Sequence, residues 1–282
     1  MIEAARSATA LAAVAFAGLG AATPAEAQEG PELPPDAELA VSRLAESPRH
    51  GEWIEYDAGD GDMVTAWAVY PERSDKAPVM VVIHEIFGLT DWVRGVADQL
   101  ASEGFIAIAP DLLSGKGHDG GGTDSFASED VRKAIRELDR DEVNRRLRAA
   151  AGYATALPSA TSKVGSVGFC WGGSTSFRFA TAWDGLNAAI VYYGGSPPTE
   201  SLAAIRAPVL GLYGGDDARV NATIPPAKEE MDGLGKVYET EIYDGAGHGF
   251  LRQQSGREGK NLRASEQAWA RTLAFLRAEL EE

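Results

Sequence analysis

Residues 163–173 constrain this chain more than any other stretch. The apolar run Lys163-Val164-Gly165-Ser166-Val167 leads directly into Gly168-Phe169-Cys170-Trp171-Gly172-Gly173. A buried strand that turns into a helix through one residue framed by glycines is a nucleophile elbow, because strand and helix backbones approach closely there and bulky neighbours do not fit. The residue at the tip, Cys170, is the only cysteine in the chain and stands where serine is usual. The same turn aims the unpaired N–H groups of the helix N-terminus at whatever the sulfur attacks. An isolated cysteine is ordinarily a small buried hydrophobe, but the glycine frame points to a nucleophile.

Downstream of the elbow, the chain keeps the order nucleophile, acid, base. The strand-like run Pro208-Val209-Leu210-Gly211-Leu212-Tyr213 ends in Gly214-Gly215-Asp216-Asp217, and the run Tyr238 to Tyr243 ends in Asp244-Gly245-Ala246-Gly247-His248-Gly249-Phe250. Asp216 and Asp217 also suit a plain turn, and His248 a plain loop. Three such residues at three successive strand ends, about one strand–helix repeat apart, nevertheless form a candidate triad of Cys170, Asp217 and His248, with Asp216 the alternative acid. The chemistry requires these types. A thiol near its reference pKa of about 8.5 is mostly protonated at neutral pH and needs a base or cation to become a thiolate. His248 would move the proton, and Asp217 would hold its tautomer and orientation. Upstream, the buried-strand run Val79-Met80-Val81-Val82-Ile83 precedes His84-Glu85-Ile86-Phe87-Gly88. The loop after the third strand supplies one oxyanion N–H in this architecture, assigned to Ile86, and the residue after the nucleophile, Trp171, supplies the other.

The flanking sequence predicts a mostly parallel α/β sheet. Trp53–Tyr56 and Met63–Tyr70 read as a hairpin. Val79–Ile83, Phe105–Ala109, Val164–Val167, Ala188–Tyr193, Val209–Tyr213 and Glu239–Tyr243 are short apolar strands. Helical patterns fall between them at Trp92–Ser102, at Ser128–Ala156 with a break near Asp139, at Gly173–Ala182 and at Ala222–Met231; an amphipathic helix over Leu262–Leu280 closes the chain. That alternation predicts a doubly wound sheet of about eight strands with helices on both faces.

At this point the chain resembles the dienelactone hydrolase family of carboxymethylenebutenolidase-like α/β-hydrolases. The matching pieces are His84-Glu85-Ile86-Phe87-Gly88, Pro110-Asp111-Leu112, the Cys170 elbow, Gly214-Gly215-Asp216-Asp217 and Gly247-His248-Gly249-Phe250, spread in order over roughly residues 53 to 280. The resemblance implies an α/β-hydrolase fold and a cofactor-free, metal-free hydrolase acting on small esters or lactones through a Cys170–His248–Asp217 triad and an acyl-thioester. It also implies that Glu85 sits beside the resting thiol and takes its proton when substrate arrives, and that Arg252 holds a substrate carboxylate, for which a planar guanidinium is suited. A second family arginine belongs between Asp111 and the elbow helix, where Arg132, Arg136 and Arg140 compete. The loop Ser114–Asp124 departs from the family; it carries neither phosphate-loop nor calcium-loop spacing and reads as a mobile surface loop at the site mouth. Two other readings stay open: a redox-sensing or non-catalytic protein on the same fold, and a thioesterase or peptidase.

Length and charge bound the rest. A chain of 282 residues suits one α/β domain, here expected over 49–282. The net charge of −16 argues against nucleic acid or an anionic membrane as partner, and it repels anionic substrates at long range, so that local arginines would have to overcome it. Residues 1–27 read as a secretory signal, with the apolar stretch Ala8–Ala22 and an Ala-x-Ala site ending at Ala27. This predicts export to the periplasm or medium, with no membrane association after cleavage. Residues 28–48, rich in Pro, Glu and Ala, read as a poorly ordered lead-in. His50, His84 and His118 lack metal-ligand spacing, and oligomeric state is not legible.

Overall fold

The computed structural model describes residues 1–2 and 31–281. The signal segment expected over 1–27 lies, apart from its first two residues, outside the described residues, and so do 28–30. One eight-stranded sheet organises the rest: β1 (Gly51–Asp57), β2 (Met63–Val69), β3 (Ala77–Ile83), β4 (Ile106–Pro110), β5 (Ala160–Phe169), β6 (Ala188–Tyr192), β7 (Val209–Gly214) and β8 (Tyr238–Tyr243). The strand order is β1-β2-β4-β3-β5-β6-β7-β8. The β1–β2 hairpin, in which Trp53 faces Trp67, is antiparallel and joins β4 antiparallel; β3 to β8 run parallel.

Both faces of the parallel part are covered, and β3 shows why its sequence is apolar throughout. Successive side chains of a strand point to opposite faces. Val79, Val81 and Ile83 accordingly join the core under α4 (Arg140–Thr155), α5 (Trp171–Ala182) and α7 (Ile224–Gly233), while Met80 and Val82 join the core under α2 (Asp91–Ser102) and α8 (Lys260–Leu280). The expected break near Asp139 separates α3 (Ser128–Glu137) from α4. The Asp139 carboxylate accepts the N–H groups of Asp141 and Glu142 at 3.0 and 2.9 Å, an N-cap that starts a helix afresh. From α4 the buried Arg146 pairs with Asp62 of the hairpin turn at 2.6 Å and donates to the Leu112 carbonyl at 2.9 Å, tying the antiparallel end to the parallel core.

Residues 31–48 differ from expectation. Rather than forming a poorly ordered lead-in, they lie along the domain as a strap. Trp92 Nε1–H donates to the Pro35 carbonyl (2.9 Å), Gln254 Nε2–H to the Pro34 carbonyl (2.9 Å), and the N–H groups of Ala37 and Ser255 donate to the Arg252 carbonyl (3.0 Å) and to Asp36 Oδ2 (3.1 Å). The short helix α1 (Ala40–Glu46) then packs on α2 with Ala40 buried. Composition missed this because the segment is held by backbone groups and proline rings, neither of which a hydropathy count registers. Among the described residues, no helix is long and apolar enough to cross a membrane.

Candidate active site

Three strand ends converge on the site. β5 ends at Phe169, and Cys170 is the N-cap of α5 with φ 57° and ψ −113°, a backbone state that an L-residue holds only when its surroundings impose it. The imposition is visible in the glycines. A Cβ on Gly168 would lie 2.0 Å from the Gly172 carbonyl oxygen, and one on Gly172 would lie 2.3 Å from the carbonyl oxygens of Ile83 and His84. β7 ends at Gly214, and Asp217 caps the one-turn helix α6 (Ala218–Asn221). The loop after β8 carries His248, whose Nδ1–H donates to Asp217 Oδ2 at 2.5 Å. That contact selects Asp217 over Asp216, whose carboxylate instead pairs with Arg257. Because Nδ1 is engaged by Asp217, Nε2 is the ring nitrogen left for proton transfer. Cys170 and His248 both line two cavities, one of about 800 Å³ and one of about 230 Å³.

The thiol rests neutral. Burial, reinforced by the negative charge of Glu85, pushes Cys170 up to about 11; the Trp171 N–H facing the sulfur and the charge of Arg219 act in the opposite direction without prevailing. Glu85 is 3 % exposed, and its burial pushes the carboxyl up to about 7 against the opposing charge of Arg252. Arg252 Nε lies 3.1 Å from Glu85 Oε2, yet the two atoms are misaligned for a hydrogen bond, and among the described residues each is left without a hydrogen-bond partner. The pair is therefore held by charge alone, which a competing carboxylate would readily replace.

Trp171 is the first residue of α5, and among the described residues the Ile86 N–H makes no backbone hydrogen bond. The 85–88 loop is fixed from beneath by His84. This fully buried ring donates from Nδ1 to the Glu85 carbonyl at 2.8 Å, accepts the Leu112 N–H at Nε2 at 3.3 Å, and stacks on Trp171. Burial lowers its pKa, so the ring stays neutral and serves as a brace. Asp111 fastens the Ser114–Asp124 loop to the same platform by accepting Thr123 N–H at 2.6 Å and Thr123 Oγ1–H at 2.7 Å.

The smaller cavity is lined by Glu85, Ile86, Phe87, Arg132, Arg136, Arg252 and others around Cys170 and His248. The guanidinium groups of Arg132 and Arg252 lie over the Phe87 ring at 4.9 and 4.8 Å, so Arg132 joins Arg252 at this end, while Arg140 belongs to the larger cavity. Sequence reasoning missed Tyr193. It follows β6 in a left-handed conformation (φ 39°), meets His248 edge-on at 5.2 Å between ring centres, and buries a hydroxyl that has no partner among the described residues. Its signal was position: it closes a parallel strand at the sheet edge where sites form.

The model of the dienelactone hydrolase family matches residues 64–280. A protein of Saccharolobus solfataricus, provisionally named a carboxymethylenebutenolidase, is 32 % identical over 79 % of this chain and 97 % of its own. The carboxymethylenebutenolidase of Pseudomonas putida is 31 % identical over 80 % of this chain and 95 % of its own. Among solved structures, a dienelactone hydrolase-like promiscuous phosphotriesterase from metagenomic libraries superposes with a TM-score of 0.69 at 25 % identity, covering 82 % of this chain and 99 % of its own.

Proposed function

This chain belongs to the dienelactone hydrolase family, a hydrolase of the carboxymethylenebutenolidase type, and from that premise we propose that it opens small esters or lactones through an acyl-thioester on Cys170. The observation that carries this reading is the 2.5 Å His248–Asp217 contact, with His248 lining the same cavity as a cysteine held at a strained elbow. Substrate enters with its carboxylate toward Arg252 and Arg132. That carboxylate competes for Arg252 and frees Glu85, which then takes the Cys170 proton. The thiolate attacks the carbonyl carbon, and the N–H groups of Ile86 and Trp171 receive the developing oxyanion. The C–O bond breaks, and the alkoxide acquires the proton that left the thiol, delivered through His248. Water then attacks the thioester, and His248 takes its proton and returns it to sulfur as the C–S bond breaks, giving acid and thiol.

Mass spectrometry after incubation with an activated ester tests the thioester. Wild type should carry one acyl group on Cys170, and Cys170→Ala should carry none while losing roughly 10⁴-fold or more in kcat/KM. Full activity of Cys170→Ala on p-nitrophenyl esters, dienelactone and simple lactones would end this mechanism. Arg252→Ala should raise KM for acidic esters about tenfold or more while sparing neutral ones; equal loss on both would remove its carboxylate role. A redox switch at Cys170 is disfavoured by the same raised thiol pKa, because oxidation begins at the thiolate. Export we infer from residues 1–27 alone; cell fractionation and the mass of the mature N-terminus test it.

A further inference from the structure

The larger cavity is far roomier than a small lactone needs, and its charge is unlike that of the molecule. In a chain of net charge −16, four arginines (Arg136, Arg140, Arg178 and Arg219) line it against a single carboxylate, Asp141. Arg145, Arg146 and Arg257 lie nearby in the fold and are all paired with carboxylates. Among the described residues, none of the four cavity arginines has a carboxylate oxygen within 4.0 Å.

Arg178 is the most exacting of them. It is half-buried in the third turn of α5, and the bond it donates, to Thr175 Oγ1 at 2.7 Å, is to a neutral group. Burial, and after it the neighbouring charge of Arg140, pushes the Arg178 guanidinium down to about 10. A half-buried guanidinium thus sits beside the exposed Arg140, and among the described residues neither has a counter-ion within 4.0 Å. That arrangement costs stability and calls for an anion.

The floor of the cavity is one face of α5: Cys170, Ser174, Thr175, Arg178, Thr181 and Ala182 recur at helical spacing. Eight residues at 1.5 Å each place the Arg178 backbone about 12 Å from that of Cys170 along the helix axis. Arg140, the first residue of α4, forms the facing wall.

We propose that Arg140 and Arg178 form a second anion subsite, which takes a terminal oxyanion, carboxylate or phosphate, on the long end of an ester whose carbonyl lies over Cys170. This rests on the reading of Cys170 as the acylated residue, because the span is measured from it. Arg252 and Arg132 serve the short end in the smaller cavity, and the substrate class becomes an extended ester carrying an oxyanion remote from the scissile bond.

The test uses p-nitrophenyl monoesters of linear dicarboxylic acids in a length series, the same series capped as methyl esters, and the same series ending in phosphate. Acetate esters of ω-hydroxy acids carry the anion on the leaving side instead. For each pair the readout is the ratio of kcat/KM for the charged ester to that for the capped one. In wild type the ratio should peak at roughly 10- to 100-fold where the extended chain matches about 12 Å. Arg178→Gln and Arg140→Gln should each lower it about tenfold, whereas Arg263→Gln, exposed on α8 outside both cavities, should leave it unchanged. The carboxylate and phosphate arms identify the preferred oxyanion, and the acetate series identifies the side that carries it. A ratio near one at every length in all series, or a ratio untouched by Arg178→Gln and Arg140→Gln, would overturn the subsite.

Calorimetric titration of a free dicarboxylic acid of matching length into Cys170→Ala separates this proposal from the thioester mechanism. Binding weakened about tenfold by adding Arg178→Gln supports the subsite even if Cys170→Ala proves active. Binding indifferent to Arg178 removes the subsite while leaving an acylated Cys170 in place.

Discussion

Cys170 and Glu85 hold each other in the wrong state for attack until something intervenes. The buried Glu85 charge is the largest cause raising the thiol after burial itself, ahead of Asp217. Glu85→Gln should therefore lower the pH midpoint of Cys170 alkylation by iodoacetamide and speed the reaction severalfold at mildly alkaline pH. An unchanged midpoint would mean that the sulfur does not feel this charge. Glu85 also marks the stability curve. Its folded-state pKa of about 7 lies above the ordinary value of 4.5, so its contribution is fully present below that value and is lost as pH rises through about 7. The difference in urea-derived stability between wild type and Glu85→Gln should shift by a few kcal/mol in favour of the variant between pH 4 and pH 8; a pH-independent difference would show that Glu85 is not strained by its charge. Among single residues, Cys170 and His248 were legible because glycines bracket them at strand ends. The choice of Asp217 over Asp216 was legible only through the family resemblance, since adjacent aspartates after a strand look alike until one is seen on His248 and the other on Arg257. Arg178 gave no pattern and Tyr193 only its position at a strand end; both acquire meaning from the cavity walls they form.

The strand–elbow–helix unit is over-determined by backbone contacts rather than by side chains. Gly172 lies under the carbonyls of Ile83 and His84, so Gly172→Ala drives β3 and α5 apart, and neither is a flexible side chain that can yield. Chemical denaturation should show a loss of about 3 kcal/mol or more together with loss of activity. A variant with native stability and turnover would mean that the elbow tolerates a wider opening than its contacts allow. Asp139→Ala, by contrast, removes only an exposed cap and should cost about 1 kcal/mol. This is also where elements were most readable. Apolar strands bounded by glycine, and a break at Asp139 where a capping side chain starts a new helix, announce themselves locally. The helix expected to begin at Ala222 begins instead at Ile224, because Pro225 and Pro226 occupy its first turn, where a missing N–H costs nothing. The four-residue helix Ala218–Asn221 escaped notice because it owes its existence to the Asp217 cap and is too short to show periodicity.

At the scale of the whole molecule, residues 31–48 change what counts as the domain. The strap buries Pro34, Pro35 and Ala40 and places its hydrogen bonds on α2 and on residues 252–255, the segment that comes after His248 and carries Arg252. It lies ahead of the region the family model matches. The Ala37 N–H donating to the Arg252 carbonyl restrains the backbone of the residue proposed to hold the substrate carboxylate. A chain beginning at Arg49 should therefore fold, because both cores under the parallel strands remain, but it should melt several degrees lower. It should also lose more in KM for acidic esters than in kcat, as Arg252 is freed to move. Trp92→Phe, which keeps an aromatic ring but removes the Nε1–H donated to Pro35 together with part of the buried indole, should reproduce about 1 kcal/mol or more of that loss. Differential scanning calorimetry and steady-state kinetics on the two variants decide the matter. A shortened chain with unchanged melting temperature and unchanged KM would reduce the strap to a passenger, whereas lowered stability with an unchanged ratio of acidic to neutral KM would make it a brace for α2 alone.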